Sequence, residues 1–187
     1  RYDDGLSAQH FTAYLDALDP QRMFFEADDI ATFAQWRLEL DNAGRSGDLA
    51  PAFTMFNNYH DELKARLTEI LATLPKTLEG FDYEVEEYIA IDHSTMPWAK
   101  DDAELDERWR KRLKNQALSL LLAEKAMEEI PETLERRYQN QLKRLSQYNA
   151  QDVFQIYANT LAEQYDPHTN YFSPRRAENF DINMSLS

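Results

Sequence analysis

The chain has 187 residues, a formal net charge of -14 and no cysteine. This length is enough for one domain, or one and a fraction, with a substantial hydrophobic core. The lack of cysteine excludes disulfides and thiolate metal sites. The acidic balance argues against a nucleic-acid partner, whose phosphates require a basic surface. No run approaches the ~20 apolar residues of a membrane-spanning helix.

The first predicted helix is short and has Ser7 as its N-cap. Its apolar stripe consists of Phe11, Tyr14, Leu15 and Leu18. Asp19–Pro20 should end this helix, because the residue before a proline is driven away from helical geometry. A connector follows, and it carries the compact apolar cluster Met23, Phe24 and Phe25.

Two further helices are predicted from three-to-four spacing of apolar residues. The first is capped by Asp28 or Asp29 and runs to about Asp41. The second is the longest in the chain, and it begins near Asp48 and stops at Pro75. Its stripe consists of Leu49, Phe53, Phe56, His60, Leu63, Leu67, Ile70 and Leu74.

The segment from Glu79 to Ser94 has no helical spacing and alternates acidic with apolar residues. It predicts either a short strand near residues 82–92 or an extended arm laid across helices. Pro97–Trp98 then reads as an anchored loop.

The second half of the chain returns to helical patterns. One helix is predicted from Asp101 to Met127, and Pro131 lies in the first turn of the next. Asn149 and Asp152 resemble a capping pair for the last helix. Its inward face should carry Val153, Phe154, Tyr157, Leu161 and Tyr165.

The last helix should stop at Gln164–Tyr165, because Pro167 cannot donate a backbone hydrogen bond and biases Asp166 toward extended geometry. The residues 183–187 alternate like an opening strand, and a strand without a partner is marginal. We therefore expect the chain to be one domain of a longer protein. The whole pattern predicts an all-α domain of about six main helices.

No constellation of residues marks a catalytic or cofactor site. Only four scattered glycines are present, so a phosphate-binding loop and a nucleotide cofactor are not expected. The serines lie in predicted helices, caps or plain turns, and the four histidines lack metal-ligand spacing. Asp166, His168 and Asn170 could place three metal ligands in one loop, but turn stabilisation explains the same residues without a metal.

The basic run in the second half is Arg108, Arg110, Lys111, Arg112 and Lys114, around Trp109. Acidic residues lie within one or two helical turns of it, which favours ion pairs on a solvated face over a protein-docking patch. Two aromatic pairs, Phe24/Phe25 and Tyr171/Phe172, lie in connectors instead of helices. Either pair could meet another domain or belong to the local core.

Several stretches resemble the N-terminal domain of tail-specific proteases, the longer bacterial branch of the carboxyl-terminal processing serine peptidases. They are Leu18-Asp19-Pro20-Gln21-Arg22-Met23-Phe24-Phe25 with Asp28-Asp29-Ile30, Pro97-Trp98-Ala99, Leu105-x-x-x-Trp109-Arg110, Leu134-Glu135-Arg136-Arg137-Tyr138 with Arg144-Leu145, and the junction from Asp166 to Ser187. They occur in the right order over essentially the whole chain, and the first and last are the most specific.

The resemblance implies a domain over residues 1–174 and a junction over residues 175–187 leading to a PDZ domain. In such proteases the PDZ domain recognises an apolar C-terminal tail, and a later domain supplies a Ser–Lys dyad. The chain itself is then a scaffold without a catalytic residue, cofactor or metal. Its expected partners are the other domains of its own chain, protein substrates and a helical-repeat lipoprotein adaptor, all in the periplasm. The residues expected at interdomain contacts are Phe24, Phe25, Asp166, His168, Tyr171 and Phe172.

Two other hypotheses stand beside this one. A free-standing α-helical interaction module would also lack a catalytic constellation. A metal-dependent enzyme would use the Asp166, His168 and Asn170 loop.

Overall fold

The computed structural model describes residues 2–171, and the predicted all-α class is confirmed for them. They form seven helices and no strand or sheet. The helices are α1 (Asp4–Leu18), α2 (Ala27–Phe33), α3 (Leu40–Ser46), α4 (Ala50–Glu79), α5 (Asp102–Leu122), α6 (Ile130–Leu145) and α7 (Ala150–Tyr165). Short 3-10 turns cover Ala34–Trp36 and Met127–Glu129. The predicted opening strand at 183–187 lies outside the described residues.

The chain divides into two compact units, each described here by itself. The first unit takes its described residues from 1–18, 33–57 and 148–187, and the second consists of 19–32 and 58–147. Helix α4 thus contributes its first eight residues to one unit and the remainder to the other, since it starts at Ala50 and the boundary follows Asn57.

The core of the first unit forms where α1 packs on α3 and α7. The predicted stripe of α1 is confirmed, because Phe11, Tyr14, Leu15 and Leu18 are all buried. The Tyr14 hydroxyl donates to the Ala52 carbonyl at 2.9 Å. The ring of Tyr14 meets that of Tyr157 edge-on at 5.1 Å. Such a pair adds a directional contact to the burial of apolar area.

The predicted cap at Ser7 is wrong, because α1 begins three residues earlier, at Asp4. Asp3 caps it, and its Oδ1 accepts from the Leu6 amide at 3.1 Å. Ser7 is instead fully buried. Its hydroxyl donates to the Arg37 carbonyl and accepts from the Leu40 amide, both at 2.9 Å.

That serine also explains why the single helix predicted from Asp28 or Asp29 to Asp41 is interrupted. In a continuous helix the Arg37 carbonyl and the Leu40 amide would bond within the helix. Here both bond to Ser7, and the chain passes through a 3-10 turn before α3 begins at Leu40. Leu40 is completely buried as a result. A tertiary contact has therefore overridden the local pattern.

The core of the second unit is built from α4, α5 and α6 around Trp109. The Trp109 ring packs against Phe24 and Tyr138, with centroids at 5.6 and 6.2 Å. Its indole Nε1 donates to the Met23 carbonyl at 2.8 Å. The apolar cluster predicted in the first connector is therefore confirmed, and Trp109 fixes its position.

The predicted stop at Pro75 is also wrong, because α4 continues through it to Glu79. A proline inside a helix removes one backbone hydrogen bond and costs about 3 kcal/mol. Leu74 and Leu78, on either side of it, are both buried in the core. Burial of a leucine contributes roughly 1.5–3 kcal/mol, which offsets most of that cost.

The predicted ends of the other helices agree with the structure to different degrees. The last helix has the expected capping box, with the Asn149 side chain accepting from the Gln151 and Asp152 amides. It ends at Tyr165 as predicted, but Tyr165 is 56% exposed and does not face inward. Helix α5 ends at Leu122 instead of Met127, since Glu124 adopts a positive φ of 62° that a right-handed helix cannot include.

The connector after α1 depends on one buried carboxylate. Asp19 is 1% exposed, and its Oδ1 accepts from the Met23 amide at 2.8 Å. Its Oδ2 accepts from the Phe24 and Phe25 amides at 2.9 and 3.0 Å. One side chain thus satisfies three successive buried donors, which would otherwise each cost free energy on burial.

We predict that Asp19→Asn destabilises the chain by roughly 2–3 kcal/mol, since an amide nitrogen would then face a backbone N–H and the charge would be lost. The measurement is the free energy of unfolding in urea. Asp28→Asn, which makes the same change at an exposed site, should cost roughly 0.5 kcal/mol or less. Equal losses in both variants would contradict this account.

His10 is the fully buried histidine of the first unit. Its Nδ1 lies 2.7 Å from the Tyr2 hydroxyl, and its Nε2 lies 2.9 Å from the Tyr157 carbonyl and 3.2 Å from Thr160 Oγ1. A neutral ring that donates from Nε2 and accepts at Nδ1 satisfies these neighbours. Burial therefore lowers the pKa of His10 from 6.5 to about 4.

We predict that stability falls as the pH drops from 6.5 to 4, because the unfolded chain binds a proton at His10 in this window and the folded chain does not. The contribution of His10 is about 3 kcal/mol. The measurement is the unfolding free energy of the wild type and of His10→Gln across this window. Because the carboxylates titrate in both proteins, the difference between the two isolates the contribution of His10. If the unfolding free energies of the two proteins changed equally with pH, the predicted contribution of His10 would be disproved.

Candidate interaction site

Residues 81–96, hereafter the arm, follow α4 and contain no helix or strand. Of the two predicted alternatives, only the arm therefore remains. Four large apolar side chains of the arm are exposed: Val85, Tyr88, Ile89 and Ile91, the last by 92%. A group of apolar side chains exposed to solvent is typical of an interaction site.

The arm is fixed to α5 at Glu87. Its carboxylate bonds to the Arg110 guanidinium and, at 2.5 Å, to the Lys114 ammonium. Lys114 Nζ also donates to the Val85 carbonyl at 3.1 Å. The hydrogen bonds from Arg110 and then Lys114 lower the pKa of Glu87 to about 2. The carboxylate is therefore ionised at neutral pH.

The end of the arm is fixed by Arg108, on the same helix. Its guanidinium donates to the Pro97 carbonyl at 3.0 Å, to the Arg22 carbonyl at 2.9 Å and to Glu104 at 2.6 Å. The loop at Pro97–Trp98 is anchored as predicted, because Arg22 stacks 3.5 Å above the Trp98 ring.

The ion pairs predicted for the basic run are thus confirmed at three of its five cations. Arg108 pairs with Glu104, Arg110 with Glu87 and Glu107, and Lys114 with Glu87. Lys111 and Arg112 form no such pair with a carboxylate among residues 2–171. The Arg112 guanidinium instead contacts the neutral Gln21 amide and lies 5.3 Å from the Trp109 ring.

Lys111 and Arg112 line a cavity of about 400 Å³ between the arm and α5, hereafter the groove. Its apolar wall includes Met23, Ile89 and Met96. The site therefore combines exposed apolar side chains with two cations that form no salt bridge within residues 2–171, although Glu107 acts on Lys111 and Asp19 on Arg112 over a longer distance. His93, Glu104 and Glu107 also line the groove, but within residues 2–171 no cluster of three His, Asp or Glu side chains could bind a metal ion there. This arrangement suits protein recognition, in which apolar contacts and charge complementarity work together.

The sequence of the chain matches the family model described as the tail specific protease N-terminal domain, over residues 1–175. The chain belongs to this family. A tail-specific protease from Haemophilus influenzae is 33% identical over 188 residues, an alignment that covers the whole chain and 27% of that relative. The chain thus spans about a quarter of the length of this relative, and the predicted family resemblance is confirmed.

In this tail-specific protease domain, the stretch from Leu18 to Phe25 that carried much of the resemblance forms the Asp19-bonded connector. Phe24 and Phe25 were predicted as interdomain contacts, with the local core as the alternative. The structure places both in the second unit with 8% and 0% exposure. Phe25 packs against Trp98, with centroids at 5.8 Å.

Of the other predicted contact residues, Asp166, His168 and Tyr171 lie in the segment that follows α7. Asp166 holds a turn in this segment, since its carboxylate accepts from the His168 amide at 3.0 Å and from the Thr169 hydroxyl at 3.1 Å. His168 is exposed, and Tyr171 meets the Phe154 ring edge-on at 5.4 Å. Phe172 lies outside the described residues. A contact of these residues with another domain stays a prediction.

The bonds that Asp166 makes are those of a stabilised turn. Within residues 2–171, no cluster of three His, Asp or Glu side chains could bind a metal ion. In the same part of the domain, no helix has the length and apolar character needed to cross a membrane.

Sequence reasoning missed Glu87, Lys111 and Arg112 as a group. The arm carries many acids, and nothing in the sequence distinguishes Glu87 from Glu84 or Glu86. Lys111 and Arg112 belong to the basic run, but the spacing along a helix does not identify which cation forms an ion pair with which carboxylate. The available signal for this pairing was that a segment of alternating acidic and apolar residues precedes a basic helix in the sequence.

We predict that Glu87→Gln releases the arm, because a neutral amide cannot maintain the charge-assisted bonds to Arg110 and Lys114. The heteronuclear NOE of the backbone amides of residues 82–92, whose hydrogen exchange is already unprotected, should fall because they gain fast motion, while that of α5 stays unchanged. Glu84→Gln, in the same arm but without an ion pair, is the matched control. An unchanged heteronuclear NOE in Glu87→Gln would show that other contacts position the arm.

Proposed function

We propose that this chain is the non-catalytic scaffold and docking domain of a periplasmic tail-specific serine protease that trims or degrades proteins with apolar C-termini. The observation that carries the proposal is the family match over residues 1–175 together with the 27% share of the relative. Residues 1–174 form the domain and residues 175–187 the junction to a PDZ domain. Proteolysis depends on a Ser–Lys dyad beyond this junction.

The surface of the described residues supports the docking part of the proposal. Tyr88 and Ile91 are 78% and 92% exposed on the part of the arm that polar contacts hold against α5, whereas Phe81 and Tyr83 at its start pack against the core. A partner that covers them gains the free energy of removing apolar area from water, about 25 cal/mol per Å². Partners of this kind include the PDZ and protease domains of the same chain, a helical-repeat lipoprotein adaptor and protein substrates.

Asp166, His168, Tyr171 and Phe172 are the proposed interdomain contact residues, whereas Phe24 and Phe25 are buried and belong to the local core. The turn at Asp166 supports this role, because its internal hydrogen bonds give the chain one defined direction as it leaves α7.

We expect the purified 187-residue chain to leave an unfolded reporter with an apolar C-terminus intact, because the proposed dyad lies elsewhere. The longer parent protein should cleave the same reporter. The measurement is loss of the full-length reporter on a gel over time. Cleavage by the 187-residue chain that persists through extensive purification would overturn the proposal.

The place of the chain in its parent can be tested separately. An antibody raised against the chain should detect a periplasmic band several times larger than 22.0 kDa in fractionated source cells. A band near 22.0 kDa would instead favour the free-standing interaction module.

A further inference from the structure

We propose that the groove between the arm and α5 binds an extended peptide segment of another protein in which acidic side chains alternate with bulky apolar ones. The inference rests on the position of Lys111 and Arg112 beside an apolar wall. It deepens the docking role proposed above and depends on it for biological meaning. Binding itself can be measured on the chain without any protease activity.

The groove is large enough for side chains of a peptide. Its volume is about 400 Å³, and it is bounded by the arm on one side and by α5 on the other. The apolar lining that a peptide would contact comes from Met23, Tyr88, Ile89 and Met96. Methionine adapts its shape to different apolar partners, so such a wall tolerates several side chains.

The charge of the groove selects an anion. Two carboxylates also line it, but Glu104 bonds to Arg108 at 2.6 Å and Glu107 bonds to Arg110 at 2.7 Å. Within residues 2–171 Lys111 and Arg112 form no salt bridge, and Glu107 and Asp19 act on them only over a longer distance. In a chain with a net charge of -14, two such cations at one apolar site favour an acidic ligand.

The arm shows how an acidic, apolar segment lies on this face of α5. Its Glu87 carboxylate binds Arg110 and Lys114, and its Val85 carbonyl accepts from Lys114. Lys111 lies one helical turn before Lys114, so it extends the same row of cations. A second segment with the same chemistry can therefore bind next to the arm by the same two kinds of contact.

The test uses a fluorescein-labelled octapeptide in which glutamate alternates with leucine and both ends are blocked. Fluorescence anisotropy measures its binding to the 187-residue chain at about 0.15 M salt. We expect saturable binding that weakens when glutamine replaces every glutamate of the peptide. Lys111→Glu should weaken binding of the glutamate peptide about tenfold, because it places a like charge against the ligand.

Two matched controls separate the groove from general effects. Lys143→Glu makes the same charge change at an exposed site on α6 and should leave binding unchanged. Ile89→Ser alters the wall of the groove and should weaken binding about fivefold. Ile91→Ser alters a more exposed residue that does not line it and should have no effect. Circular dichroism checks that each variant stays folded.

Three outcomes would overturn the inference. One is the absence of binding up to about 1 mM peptide. Another is equal weakening by Lys111→Glu and Lys143→Glu, which would indicate only the overall charge. The third is self-association that Ile89→Ser abolishes and Ile91→Ser does not, measured by sedimentation, because a second copy would then occupy the groove. None of these outcomes alters the expected inertness of the chain as a protease.

Discussion

The carboxylate of Asp19 is the constraint on which the second unit depends. Three successive amides, from Met23 to Phe25, point at its two oxygens within 3.0 Å. Those bonds fix the backbone of a connector whose side chains enter the core beside Trp109. A buried carboxylate without such donors would be strongly unfavourable, so the polar group and the apolar cluster stabilise each other.

The arm is held in a different way. Phe81 and Tyr83 at its start pack against the core, but its later apolar side chains remain exposed. Charged or polar bonds to Arg108, Arg110 and Lys114 fix this later part of the arm to α5. Bonds of this kind give direction with little burial, which leaves apolar surface available for a partner. The basic run of α5 therefore positions the arm first, and its two remaining cations give the groove its charge.

The parts of this site that depend on residues close in sequence could be predicted, and the parts that depend on residues far apart in sequence could not. The arm and the basic run were both visible as patterns, because composition along the chain reveals acidic and basic stretches directly. The pairing of Glu87 with Arg110 and Lys114 joins residues more than twenty positions apart. No local spacing encodes such a pair, so the groove and its unpaired cations could not be derived from the sequence.

Four features could be predicted from the sequence alone: the helical class, the capping box of α7, the end of α1 before Pro20 and the family of the chain. Each of these depends on residues that are close in sequence or on short sequence motifs. Tertiary structure alone decided that Ser7 bonds to Arg37 and Leu40 and that α4 continues through Pro75. In both cases contacts made between distant segments outweigh a local preference of a few kcal/mol.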